Sequence, residues 1–340
     1  MTKAIRSLYF PSRPSHRRNA DDHCCDAQSE SSLKPFPIIL FVYNRPEHTR
    51  LTVDSLRRNE LAADSDLHIF SDGPKNHEQT AAVRGVRDYL RTITGFNTVR
   101  IVERERNMGL AASIISGTSQ ILNDHAACIV VEDDLLSAPS FLKFMNAALQ
   151  VYGDRQDIFS VTGYNYPLPL PQNYPDDAYI SYRGSSWGWG TWADRWHRVD
   201  WAVSDYPQFV DNPLDQALFA RGGDDLAGML KLQMEGKIDS WSIRFDYAHH
   251  KNNALCLYPV TSKIQNIGFD GSGVHCGVSE DYMVELDSGH QDFRLRPDLQ
   301  LDSAIINVFN QRFRAPRRFG LLYRAAKKAR RLARGMLIGK

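Results

Sequence analysis

The chain has 340 residues, is 42% hydrophobic and 24% charged, and sets 41 Lys and Arg against 40 Asp and Glu for a formal net charge of +1. That length fits one large domain or two small ones, the composition is that of an ordinary globular chain, and no run of about 18 apolar residues marks a membrane-spanning helix. Five cysteines (Cys24, Cys25, Cys128, Cys256 and Cys276) are odd in number and scattered, so neither a disulfide framework nor a zinc pattern emerges, and a reducing cytoplasm is the expected compartment.

The near-neutral total hides an asymmetry. Residues 303–340 hold eleven Lys and Arg and no acid, which leaves the first 302 residues with a charge of −10. Residues 1–34 are polar and unperiodic, without the continuous apolar stretch of a signal peptide, and read as a disordered leader or an over-long start.

From residue 35 the chain alternates. "FPIILFVYNRP" (36–46) is an apolar strand stopped by Asn44-Arg45-Pro46, and "EHTRLTVDSLRRNELA" continues with helical spacing. "DLHIFSDGP" (66–74) is a second strand, "HEQTAAVRGVRDYLRTI" a second helix, "NTVRIVER" (97–104) a third strand and "NMGLAASIISGTSQILND" (107–124) a third helix. The fourth strand, "CIVV" at 128–131, runs directly into Glu132, Asp133 and Asp134. Such alternation predicts a parallel α/β sheet. It places Asn44–Arg45, Asp72–Gly73, Asn107 and the three acids at C-terminal strand ends, the edge where open α/β sheets bind ligands.

Three adjacent acids repel one another and are costly to bury unpaired. A cation or a set of donors must therefore face them. Oxygen ligands with no His or Cys beside them suit Mg²⁺ or Mn²⁺, which commonly sit between one or two carboxylates and substrate phosphates. An acidic turn before "APSFLKFMNAAL", with Ser137 as helix cap, is the alternative.

"VVEDDL" after a strand, "FVYNRP" at the first strand and "SDG" at the second resemble nucleotide-sugar glycosyltransferases of the GT-A fold, specifically N-acetylglucosaminyltransferase I and the bacterial family 2-like proteins related to it. The resemblance covers about residues 36–280 and is strongest over 36–165. It implies a Rossmann-like α/β fold, a mostly parallel sheet flanked by helices with an elaborated acceptor-side second half. By the same resemblance Asp134 is the direct Mn²⁺ or Mg²⁺ ligand, Asp133 meets the ribose of a uridine nucleotide and Glu132 faces the donor sugar. Asp72 accepts from uracil N3, and Arg45, beside Asn44, lies near the donor phosphates. Plain readings stand next to these: a turn at Asp72-Gly73-Pro74, a solvated Arg45, and an N-cap at Asn107 as readily as a donor contact.

The second half is denser in aromatics. Five of six tryptophans fall in "RGSSWGWGTWADRWHRVDW" (183–201), where flanking glycines could expose the faces of Trp187 and Trp189 to an acceptor sugar; a packed core segment is the alternative, and Trp192 and Trp196 share helical spacing. "GKIDSWSIRF" resembles the segment holding the related enzyme's catalytic base. Strict register falls on Ser240, and Asp239 is the neighbouring carboxylate able to take the acceptor's proton. The glycine-rich "NIGFDGSGVHC" (266–276) suits a loop over a diphosphate, with His275 reaching phosphate or metal.

Residues 315–340 form a basic amphipathic pattern suited to an anionic membrane surface, a disordered or RNA-binding tail being the alternative. The expected organisation is a leader (1–34), one glycosyltransferase domain (35–302, with a nucleotide-sugar half at 35–165 and an acceptor half at 166–302) and a basic tail (303–340). The expected function is a metal-dependent inverting transfer from a UDP-linked sugar to a glycan or lipid-linked acceptor, in the cytoplasm at the inner face of the membrane, with no nucleic-acid partner. A sugar nucleotidyltransferase, or a catalytically silent carbohydrate-binding or membrane-surface protein, are the competing readings.

Overall fold

A computed structural model describes residues 34–271, 279–289 and 292–314. Its first part follows the alternation: β1 (Ile38–Val42), α1 (Pro46–Arg57), β2 (Asp66–Ser71), α2 (Thr80–Leu90), β3 (Thr98–Glu103), α3 (Leu110–Leu122) and β4 (Ala127–Glu132). These four strands are parallel neighbours in the order β3-β2-β1-β4. All five residues of β1 and all six of β2 are buried, as expected for strands covered on both faces.

Then follow β5 (Leu135–Ser137), α4 (Phe141–Val151), β6 (Ile158–Thr162), β7 (Ala178–Ser181), β8 (Trp189–Trp192), α5 (Ala193–Trp196), α6 (Tyr206–Val210), α7 (Pro213–Phe219), α8 (Leu226–Met234), α9 (Trp241–Lys251), β9 (Leu255–Pro259), β10 (Ile264–Asn266) and α10 (Ser303–Arg312). Strand β8 inserts antiparallel between β4 and β6, β9 pairs parallel with β6, and β7 closes the edge antiparallel. The result is one eight-stranded, mostly parallel sheet, ordered β3-β2-β1-β4-β8-β6-β9-β7 and flanked by helices. Both halves of the chain contribute to it. The pleat sends Ile38, Leu40 and Val42 to one core layer, with Phe141 and Met145 of α4, and Ile39 and Phe41 to the other, with Ile114 of α3 and Phe245 of α9.

A second, two-stranded sheet joins β5 to β10 antiparallel. It lies immediately after the acid triplet in sequence, so Ser137 is a strand residue whose hydroxyl accepts from Asn59, and α4 begins only at Phe141. Ser137 is therefore no helix cap. Nor is Asn107: Gly109, with φ of 79°, occupies the position before α3. Trp192 and Trp196 do not share a helix face either, because β8 ends at Trp192 and α5 starts at Ala193.

The domain boundary drawn at residue 303 also moves. Helix α10, capped by the Asp302 carboxylate, buries Ile305 and Phe309 against Tyr179, Cys256 and Tyr258. Residues 303–312 thus pack on the sheet, and the amphipathic segment 315–340 lies outside the described residues, as does most of the leader. Among the described residues no helix is long and apolar enough to cross a membrane.

Candidate active site

Parallel pairing sets Phe41 opposite Glu132, so the chain leaves β1 and β4 side by side. Pro46 starts α1 at its first turn, a position where its missing N–H costs nothing. Arg45 is thereby held in the turn, and its guanidinium reaches both acids of the neighbouring tip. It pairs with Asp133 and donates to Asp134 at 2.9 Å. The Tyr43 amide also donates to Asp133 (3.3 Å), and Thr52 of α1 donates to the Asp133 carbonyl (2.8 Å).

The charges respond to this crowding. Burial alone would lower the Arg45 pKa, but Asp133 and Asp134 outweigh it and hold the guanidinium above its ordinary value. Burial raises Asp133, with Arg45 opposing. Glu132, desolvated and facing Asp134 and Asp133, is pushed up to about 8 despite Arg45. The triplet carries less negative charge near neutral pH than its three carboxyls would suggest.

Residues from the far end of the chain complete this corner. The Ile267 amide donates to the Asp134 carbonyl at 2.8 Å, and a Cβ on Gly268 would lie 2.2 Å from Asp134 Oδ2 and 3.2 Å from Arg45 Nη1. Only a glycine allows the backbone that close. His48 of α1 meets Asp270 at 3.1 Å, fastening the same loop from the other side. His275 lies outside the described residues.

The second strand tip forms a separate wall. Asp72 is buried, and its carboxylate accepts from the amides of Gly73 (3.0 Å), Met108 (2.9 and 3.1 Å) and Gly109 (3.1 Å). Asn107 donates from its side chain to the Gly73 carbonyl at 2.9 Å. Both residues shape the loop after β3, and Asp72 keeps at most one free lone pair for a ligand's N–H. Asn44, next to Arg45 in the chain, is half-buried.

Across from this wall stands Asp239. Its side chain is 62% exposed, 3.8 Å from Arg244, and its Oδ2 is 3.7 Å from where a Cβ on Gly109 would lie. Ser240 is the N-cap of α9: its hydroxyl accepts from the Ile243 amide. The two residues therefore have different work, with Ser240 engaged in the helix and Asp239 exposed beside Gly109.

The tryptophans separate in the same way. Trp187 is half-buried, edge-on to Tyr164, Phe269 and Tyr282. Trp189 is 1% exposed and packed on Trp196 and Trp241, with ring centroids 5.6 and 4.8 Å away. Its expected contact with an acceptor is overturned. Strand β8 crosses the middle of the sheet, so its side chains alternate into the two core layers rather than lining a loop.

Sequence reasoning named Asp246 only as the next acid, with Glu235, to test as the base after Asp239. It lies on the face of α9 that also carries Trp241, Ser242 and Phe245, and with these residues lines a cavity of about 220 Å³ beneath Trp187 and Phe269. An acid with aromatic residues one and five positions before it, and a serine four before it, was the available signal.

Among the described residues no cluster of three or more His, Cys, Asp and Glu side chains surrounds a common point. The oxygen-only donors Asp134 and Asp133 still fit a hard divalent cation whose remaining ligands come from substrate phosphate and water.

No protein-family profile and no curated protein matches the chain. Similar solved structures include the mannosyltransferase PcManGT from Pyrobaculum calidifontis in complex with GDP-Man and Mn²⁺, at 15% identity and a TM-score of 0.28, covering 38% of this chain and 36% of that one. Residues 1–349 of S. aureus TarS give 11% identity and a TM-score of 0.40 over 69% and 61% of the two chains, and an active-site mutant of LgtC gives 12% and 0.33 over 51% and 65%. The chain spans less than two thirds of the length of each of these structures.

Proposed function

We propose that this chain is a metal-dependent, inverting glycosyltransferase that takes a sugar from a UDP-linked donor and delivers it to a glycan or lipid-linked glycan. The observation that carries this reading is the corner where Arg45, Asp133 and Asp134 meet the backbone of Gly268 at the C-terminal edge of a mostly parallel sheet. That edge is the ligand-binding side of such sheets. A cation and carboxylates held together there suit a diphosphate with its divalent counter-ion.

Each residue has a physical role in this reading. Asp134, with Asp133 beside it, would hold Mn²⁺ or Mg²⁺, which when bound stabilises the charge on the departing nucleoside diphosphate. Arg45 would offer the diphosphate charge-assisted N–H groups, while Asp133 would meet the ribose and Glu132 the donor sugar. Asp72 and Asn107 hold the loop against which the base lies, and the remaining lone pair of Asp72 selects uracil N3–H. Asp239 takes the proton from the acceptor hydroxyl as its oxygen attacks the anomeric carbon opposite the leaving diphosphate. The basic segment 315–340, by its sequence pattern, holds the enzyme against an anionic lipid surface.

Thermal unfolding with UDP, GDP and Mn²⁺, singly and in pairs, tests the reading. UDP with Mn²⁺ is expected to raise Tm well beyond either alone. Equal stabilisation by UDP in the presence of a chelator would remove the metal, and equal stabilisation by GDP would remove the uridine.

A further inference from the structure

The cavity that Trp187 lines contains none of the residues assigned above to the nucleotide, and its lining is unusual. Trp187, Trp241, Phe269 and Tyr282 supply aromatic walls, and Ser185, Ser186 and Ser242 supply hydroxyls. Two opposite charges share the same wall. Asp246 Oδ1 accepts from the Gly184 amide at 2.6 Å, and Gly184 has no room for a side chain because a Cβ would lie 2.5 Å from that oxygen. Among the described residues the Gly184 amide is the hydrogen-bond donor Asp246 has. Arg183, also on the wall, is engaged elsewhere: it holds Asp225 through both terminal nitrogens at 2.8 and 2.9 Å and lies 4.0 Å from the ring centroid of Phe313.

We propose that this cavity seats one uncharged sugar ring, with Asp246 accepting hydrogen bonds from its hydroxyls and excluding acidic sugars. A carboxylate that is poorly partnered inside an aromatic enclosure is costly unless a ligand supplies donors, and burial, only partly offset by Arg183 and the Gly184 amide, pushes Asp246 up to about 6. An anion entering would meet the Asp246 carboxylate, while Arg183 is already paired with Asp225. A neutral polyol meets no such repulsion, because each hydroxyl both donates and accepts. The volume of about 220 Å³ is below the range of drug-sized pockets and matches a single ring rather than an extended chain. Phe269 follows Gly268, which touches Asp134, and Trp241 follows the Asp239–Ser240 turn, so lining residues adjoin in sequence both ends of the proposed reaction. On the transferase reading, the ring it seats is the acceptor's terminal sugar.

The test is binding to the whole chain without nucleotide or metal, followed by saturation-transfer NMR and titration calorimetry. The probes are the methyl β-glycosides of glucose, galactose and N-acetylglucosamine, methyl α-mannoside, methyl β-glucuronide and choline. At least one neutral glycoside is expected to saturate a single site, with the glucuronide about tenfold weaker or worse and choline no tighter. Asp246→Asn and Trp187→Ala should each weaken the neutral probe by about tenfold while leaving the shift in Tm by UDP and Mn²⁺ intact, and Asp246→Asn should narrow the gap to the glucuronide. Trp187→Phe, which keeps an aromatic wall, covers the case where Trp187→Ala unfolds. Saturation by no neutral probe, tighter binding of the glucuronide or choline, or full binding by Asp246→Asn overturns the inference. A seat that binds glycosides in a chain that ignores UDP and Mn²⁺ would keep the inference and overturn the transferase.

Discussion

Arg45 and Asp134 are joined by a 2.9 Å ion pair across the tips of β1 and β4, so the acid proposed to hold a divalent ion already has a cation of the chain against it. Removing Arg45 leaves two acids in a crowded corner without their counter-charge, a change that costs about 3–5 kcal/mol for a buried pair. Arg45→Ala is expected to lower Tm without ligand and to be stabilised by Mn²⁺ more strongly than the wild type. Calorimetry with and without Mn²⁺ checks this, and an unchanged Tm would show that the pair does not carry the corner.

Asp134→Asn has a different signature. It removes one of three repelling carboxylates while Arg45 keeps Asp133, so the protein alone should melt at or slightly above the wild-type temperature. Stabilisation by UDP with Mn²⁺ should vanish. If that stabilisation persists, Asp134 is not the metal ligand.

For Asp72 the structure predicts a loss of order as well as of nucleotide. Asp72→Ala strands three amides, those of Gly73, Met108 and Gly109. The expected cost is about 1–3 kcal/mol, the range for leaving buried hydrogen-bonding groups unpaired. Hydrogen exchange over residues 106–110 should accelerate in step with weaker UDP binding, and UDP weakened with no change in exchange would separate the two roles.

Asp239 and Ser240 can be told apart by what each variant spares. Asp239→Asn should leave donor binding and Tm near wild type, because the side chain is exposed, and should cut transfer by about 10²–10⁴-fold. Ser240→Ala should cost about 1 kcal/mol of stability through the lost cap of α9 and little of the transfer rate. Near-wild-type transfer by Asp239→Asn would move the base elsewhere.

Asp246 gives a prediction in pH. Its folded pKa of about 6 stands above the ordinary 3.8, so between these values the folded protein holds a proton that the unfolded chain releases. Stability therefore falls as pH rises through that window, by about 3 kcal/mol in total. Asp246→Asn keeps an acceptor for the Gly184 amide and loses the charge. Its Tm should exceed the wild type's at pH about 7.5, and the difference should shrink toward pH about 4, as read by paired melts. An equal difference at both ends would contradict the shift.

Much of the frame was legible because its signals are local. The runs "IILFV" and "ACIVV" could only be strands buried on both faces, and the polar residues that end them had to gather on one edge. Arg45 was visible as a charge near that edge, while its grip on the acids depends on the register that sets Phe41 beside Glu132. Long-range placement is where reading failed. Nothing local in "WGWGTW" shows that it threads antiparallel between β4 and β6, which turns Trp189 from a platform into core. Asp246 looked like any helical acid until the turn at Arg183–Gly184 was folded against it.

The two-stranded β5–β10 sheet has a consequence for synthesis. Leu135 finds its partner Asn266, and Asp134 its neighbour Gly268, only after more than a hundred further residues have been made. At about 5–20 residues per second a ribosome needs roughly 7 to 26 seconds for that stretch. A nascent chain can lay down β1 to β4 and bring Arg45 to the acids during this time, yet its nucleotide corner stays open on one side. Donor binding is thus a late event in the life of the chain, and ribosome-bound intermediates stalled before residue 264 should carry a formed half-sheet that UDP and Mn²⁺ do not protect from protease.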